Sequence, residues 1–225
     1  MSTRVKICGI TRPEDAIAAA AAGADAIGLN FYSGPRKIDF PTARRIQATL
    51  PPMVTQVALV EQITGGSNAT ITAVKVKNEL NLRTFQTYSA DEQFTLASAF
   101  NDTMDWWIVV TVTSRNSFKN LRGLVGTLKS RPQGLILDTY SPNAKGGTGQ
   151  AFNWNWIAEA RDSEELEGLP PLILAGGLTP ANVAEAVRIA QPYAVDVSSG
   201  VEVAGQPGVK DWVKIQDFIA AAKGA

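Results

Sequence analysis

The sequence predicts an α/β chain folded as a single (β/α)8 (TIM) barrel over residues 1–225. Three observations carry that reading. Eight short apolar runs alternate with helical patterns along the chain. Glycines gather after the last three runs. A thiol and a carboxyl, Cys8 and Asp138, each end an apolar run, and barrels keep their reactive groups at the C-terminal ends of strands.

In chain order the apolar runs place strands near 5–8, 26–31, 54–60, 82–86, 106–112, 134–138, 172–175 and 194–198. Helical periodicity between them places helices near 13–22, 41–50, 67–80, 90–100, 116–129, 154–160, 180–190 and 210–222. Several have start signals: Thr11 with Pro13, Ser67, and Thr179 with Pro180 fit caps or first-turn positions. Eight strand-then-helix units are the arithmetic of a barrel. A doubly wound open sheet satisfies the same count, because strand closure is not written in one sequence. The segment from Asp162 to Gly168 reads as an acidic helix end or loop, and nothing marks a domain boundary.

Composition narrows the chemistry. Lys plus Arg and Asp plus Glu number 21 each, so no long-range basic field draws nucleic acid or an anionic membrane. There is no histidine and one cysteine, which excludes an intrachain disulfide, Cys-x-x-Cys chemistry and a histidine-based triad. Proton transfer falls to Asp, Glu, Lys, Cys and Tyr. The most apolar early stretch, Ala16 to Ala24, is well short of the ~18 residues of a membrane span and lacks a basic leader. The expected protein is therefore cytoplasmic, and the Asn68-Ala69-Thr70 and Asn101-Asp102-Thr103 glycosylation patterns are chance matches.

Cys8 closes Val5-Lys6-Ile7-Cys8, where a thiol can serve as nucleophile or, deprotonated, as base. Taken alone, a lone cysteine is more often a buried core residue. Asp138 closes Gly134-Leu135-Ile136-Leu137-Asp138, and alternation puts it on the face of Ile136 and puts Lys6 on the face of Cys8. Alone, Asp138 reads equally well as a turn cap. Gly146-Gly147-Thr148-Gly149, Gly176-Gly177 and Ser198-Ser199-Gly200 follow the sixth, seventh and eighth strands. There glycine lets backbone N–H groups close on a phosphate. Neither nucleotide-binding glycine fingerprint is complete.

The ordered set Lys6-Ile7-Cys8-Gly9-Ile10-Thr11, Gly23-Ala24-Asp25-Ala26-Ile27-Gly28, Pro35-Arg36-Lys37-Ile38, Leu137-Asp138-Thr139, Gly146 through Trp154, Ala175 through Val183 and Val195 through Glu202 resembles the phosphoribosylanthranilate isomerase family of tryptophan biosynthesis. The resemblance runs from about Val5 to Ala222. It implies an Amadori rearrangement of a small phosphoribosyl substrate, with Asp138 as general acid and Cys8 as general base. It further implies Arg36 on the anthranilate carboxylate, and Gly147, Gly176, Gly177, Ser198, Ser199 and Gly200 around the substrate's phosphate end. Asp196 matches a family acidic position beside the first strand and is a substrate-contact candidate, although barrel closure makes it a neighbour of Lys6 and a structural ion pair reads at least as well; Lys6 and Arg36 are the supporting cations for the thiolate. No cofactor, metal, nucleic acid or membrane is implied, and the chain is expected to be a monomer or homodimer.

Two segments depart from the family pattern. Gln86-Thr87-Tyr88-Ser89 stands where Gln-Leu-His-Gly is usual, and Leu59-Val60-Glu61-Gln62 replaces an ending in Phe-Val-Asn. They keep alternatives open: a non-catalytic phosphosugar-binding barrel, or an isomerase of a related phosphorylated aminosugar. Phosphoribosyl-imidazole isomerases and ribulose-phosphate epimerases fit less well, since they use paired aspartates or a metal.

Overall fold

The computed structural model describes residues 2–61, 68–88, 104–128, 131–139 and 151–225. Eight parallel strands close into a barrel in chain order. They are β1 (Arg4–Ile7), β2 (Ala26–Asn30), β3 (Thr55–Leu59), β4 (Thr84–Tyr88), β5 (Asp105–Val112), β6 (Gly134–Thr139), β7 (Leu172–Leu174) and β8 (Ala194–Val197). Closure is made by β1 on β8, in the register that sets Lys6 beside Asp196. Around the strands lie α1 (Pro13–Ala21), α2 (Phe40–Gln47), α3 (Asn68–Leu80), α4 (Leu121–Thr127), α5 (Asn155–Asp162), α6 (Val183–Ala190) and α7 (Trp212–Lys223). The helix expected near 90–100 and Ser67 fall outside the described residues. Among the described residues no helix is long and apolar enough to cross a membrane.

Side-chain alternation divides the apolar residues into two bodies. Outward-facing Ile7, Ile27, Leu29, Phe85 and Leu135 pack on helix residues such as Ala16, Ala19, Ile46 and Phe218. Each large side chain so buried contributes about 1.5–3 kcal/mol. Inside the barrel a smaller cluster, Val109, Ile136, Ile173, Ala175 and Ala194 with Trp107, fills the side formed by β5 to β8. The β1, β4 and β8 side carries Lys6, Gln86 and Asp196 instead.

Local chemistry shifts several element boundaries from their expected places. Thr11 does not cap α1; its hydroxyl donates to the Gly208 carbonyl, while Pro13 opens the helix and Arg12 precedes it. Asn182, and not Thr179, stands at the cap of α6, its side chain accepting from the Thr179 N–H. The helix expected over 116–129 is a short 3-10 turn, Arg115–Phe118, followed by α4. Ser114 and Ser117 cap that turn reciprocally, and Gly123 and Gly126 weaken a longer helix. α7 begins at Trp212, two residues late, because Lys210 pairs in a β-bridge with Glu202 and Asp211 caps the helix through the N–H groups of Val213 and Lys214.

Candidate active site

A cleft of about 730 Å³, counting the open solvent in its mouth, sits at the C-terminal ends of the strands. Cys8, Arg36, Asp138, Gly176, Gly177, Asp196, Ser198, Ser199 and Gly200 all line it. Those residues are spread over nearly the whole chain, and barrel closure brings them together. Gly147, along with Gln62 and the side chain of Tyr88, lies outside what is described.

Cys8 is the first residue after β1, buried and held by its N–H bond to the Val197 carbonyl at 2.8 Å. Space for its sulfur depends on Gly28 of the adjoining strand, where a Cβ would stand 2.7 Å from Cys8 Sγ. Burial pushes the thiol above its usual value. Lys6 pulls it back down, Asp196 pushes it up and Lys210 lowers it again, without undoing the rise. Lys210, not anticipated from the sequence, thus joins Lys6 as a cation acting on the thiol.

Lys6 is 2% exposed and donates to Asp196 Oδ2 and Gln86 Oε1, both at 2.8 Å. Burial opposes its charge, but Asp196 and Cys8 outweigh burial and hold its pKa above the ordinary lysine value. The Lys6–Asp196 pair is the one that closure of the barrel predicts. Asp196 Oδ1 has no hydrogen-bond partner among the described residues, and neither has Ser198 Oγ. Buried polar atoms are normally paired, so these two are suited to a bound polar ligand.

Asp138 sits near the end of β6 and lines the same cleft as Asp196. Its Oδ1 accepts from the Thr139 N–H at 2.8 Å. Loss of hydration pushes its carboxyl up to about 6, against the lowering pull of that N–H; Asp196 adds to the rise and Lys6 subtracts from it. Gly176, at φ +82°, lets the chain after β7 pass against this turn, where a Cβ would stand 2.8 Å from Asp138 Oδ1 and closer still to Thr139 Oγ1.

The loops after β7 and β8 also line the cleft. Gly177 has φ +64°, and Asn182 Nδ2 fixes its carbonyl at 3.0 Å. Ser199 and Gly200 begin a short 3-10 turn, Ser199–Val201, and a Cβ on Gly200 would strike the Leu178 carbonyl. Arg36 closes the mouth from the segment after β2, paired through Nε and Nη2 with Glu202 at 2.7 Å each. Sequence reasoning missed Glu202, Lys210 and Gln86 as site residues. The available signals were a charged residue straight after Ser198-Ser199-Gly200-Val201 and a glutamine at an inward strand position.

Comparison with known proteins gives a consistent result. The family model described as N-(5'phosphoribosyl)anthranilate (PRA) isomerase matches residues 5–221. An N-(5'-phosphoribosyl)anthranilate isomerase of Acidithiobacillus ferrooxidans is 44% identical over 222 residues, which is 98% of each chain. That of Neisseria meningitidis is 40% identical over 97% of this chain and 96% of its own. Phosphoribosyl anthranilate isomerase from Thermotoga maritima has a crystal structure that superposes with a TM-score of 0.80 at 33% identity, covering 99% of this chain and 100% of that one. A phosphoribosyl anthranilate isomerase crystallised in complex with reduced 1-(o-carboxyphenylamino)-1-deoxyribulose 5-phosphate superposes at 0.77 with 31% identity and the same coverage. With a barrel, a thiol and a carboxyl at its mouth, and this sequence kinship over nearly its whole length, the chain belongs to the N-(5'-phosphoribosyl)anthranilate isomerase family.

Proposed function

We propose that the chain isomerises N-(5'-phosphoribosyl)anthranilate to 1-(2-carboxyphenylamino)-1-deoxyribulose 5-phosphate in tryptophan biosynthesis, with Asp138 as general acid and Cys8 as general base. The observation that carries the assignment is the pair itself: one cleft holds a carboxyl with a pKa of about 6 and a thiol beside two lysines. Asp138 gives its proton to the ring oxygen as the bond from that oxygen to C1 of the ribose breaks, and the anthranilate nitrogen lone pair forms the C=N bond of a Schiff base. Cys8 thiolate then takes the proton from C2, and the C–H electrons flow towards the cationic nitrogen to leave an enolamine. Tautomerisation of the enolamine gives the ketone.

The two pKa directions fit these roles with a condition. The productive pair, Asp138 protonated with Cys8 ionised, is a minor species of the free protein, and its share is level between the two pKa values. Lys6 and Lys210 enlarge that share by favouring the thiolate. At the phosphate end, Gly177, Ser199 and Gly200 supply backbone N–H groups, which need no side-chain charge to bind an anion. Arg36, on the same cleft, matches a planar carboxylate. Asp196 stays paired with Lys6, and its Oδ1, without a hydrogen-bond partner among the described residues, is left to a polar group of the substrate.

The test is optical and genetic. The purified chain, given the substrate, is expected to abolish its anthranilate fluorescence and to restore growth without tryptophan to a strain lacking this isomerase. Folded protein that competes for phosphate ligands but turns over nothing would contradict the assignment and favour the non-catalytic barrel. Turnover of another phosphorylated aminosugar alone would point to the altered Gln86-Thr87-Tyr88-Ser89 wall.

A further inference from the structure

An arginine that reads a carboxylate is effective only when its fork is held, because a long side chain otherwise loses rotamer entropy on binding. Two features hold Arg36. Its stem crosses Gly9, where a Cβ would stand 2.6 Å from Arg36 Cδ and 3.4 Å from Arg36 Cβ. Its guanidinium is gripped by Glu202, which is 6% exposed and accepts from Nε at Oε1 and from Nη2 at Oε2, both at 2.7 Å.

Glu202 is in turn tied down. The same carboxylate accepts from Lys210 Nζ and from the Gly208 N–H, each at 3.0 Å. Lys210, with a fully covered side chain, also donates to the Ser198 carbonyl at 3.0 Å. A buried carboxylate beside the place where an aryl carboxylate must dock would by itself repel it. Two cations around one carboxylate leave a net charge of +1, so the cluster as a whole favours an anion.

We propose that Glu202 is a positioning residue for substrate recognition: its two-pronged grip holds Arg36 in the rotamer that receives the aryl carboxylate of the substrate. The inference rests on the assignment of Arg36 to that carboxylate. Glu202 itself touches no reacting atom, so it acts on affinity through Arg36 and leaves the proton transfers alone.

A mutant cycle on the full chain tests this, with kcat and KM for N-(5'-phosphoribosyl)anthranilate measured for Arg36→Ala, Glu202→Gln and the double variant, and folding followed by thermal melting. Arg36→Ala is expected to raise KM about tenfold or more, and Glu202→Gln by up to about tenfold, each with kcat within about threefold of the parent. Added to Arg36→Ala, E202Q is expected to change KM by less than about twofold, because the residue it serves has gone. An equal KM factor in both backgrounds, or an unchanged KM in Glu202→Gln alone, overturns the proposal while leaving the Arg36 assignment standing. An unchanged KM in Arg36→Ala overturns the assignment itself, and the proposal with it. Should Glu202→Gln unfold by leaving Lys210 unpaired, E202Q/K210M removes both charges and carries the same cycle on KM alone, since loss of Lys210 also acts on the Cys8 thiol and is expected to lower kcat; the same two KM results decide it.

Discussion

Asp138 and Asp196 are inward-facing carboxyls near the ends of β6 and β8, two strands apart in one barrel, yet their surroundings treat them in opposite ways. Asp196 lies 2.8 Å from the Lys6 ammonium, on the side of the interior built from Lys6, Gln86 and Asp196. Asp138 stands on the side filled by Val109, Ile136, Ile173 and Ala175, and the hydrogen bond described for it comes from its neighbour's N–H. Its carboxyl rises to about 6. Residue type and strand position are the same in both cases. The wall behind each carboxyl decides whether it is held as a counter-ion or keeps its proton to higher pH, as the proposed acid must.

The largest expected effect falls on Asp138 and Cys8. Asp138→Asn and Cys8→Ala are each expected to lower kcat by about 10²- to 10⁴-fold with KM little changed, since in the proposed mechanism each loses a proton-transfer group and little binding surface. Steady-state kinetics on folded variants check this, and a loss under tenfold in either contradicts its role. Next comes the ion pair. Lys6→Met leaves Asp196 charged, buried and unpaired, which costs about 3–5 kcal/mol in chemical denaturation, and adding Asp196→Asn should recover much of that loss. Near-equal stability of the single and double variants would show that the pair is not buried as described.

A smaller effect sharpens the contrast through pH. The native Asp138 pKa of about 6 exceeds the ordinary 3.8, so the native state holds this proton more tightly than the unfolded chain does. Stability from this group is whole below the ordinary value and is lost as pH rises towards 6. Asp138→Asn, which cannot ionise, should therefore match the parent's stability near pH 3.5 and exceed it by up to about 3 kcal/mol above pH 6, from a shift of about two pKa units. A stability difference between the two proteins that does not change with pH would contradict the raised pKa.

Legibility in the sequence follows from the range of each interaction. Strand ends were readable because apolar runs stop where side chains meet the mouth, which is how Cys8 and Asp138 stand out. The Lys6–Asp196 contact was readable once closure was assumed, because the first and last strands must then be neighbours. The fourth strand, expected at 82–86, lies at Thr84–Tyr88 because Leu82 is buried against the outer core before the strand begins. That shift carries Gln86 from a strand end into the barrel interior, where it accepts from Lys6; local alternation marks the position as inward but does not name the partner. Arg36 and Glu202 are 166 positions apart, and their pairing depends on the paths of two loops.

The difference between the two carboxyls is read most directly from the protonation of Asp138 in the resting protein. Carbon-13 labelling of aspartate, with the Asp138 carboxyl assigned by its loss in Asp138→Asn, allows that single group to be titrated by NMR. The expected midpoint is about 6. A midpoint in the ordinary aspartate range near ~3.9 would contradict it, because the carboxyl would then hold too little of its proton at neutral pH to act as the acid.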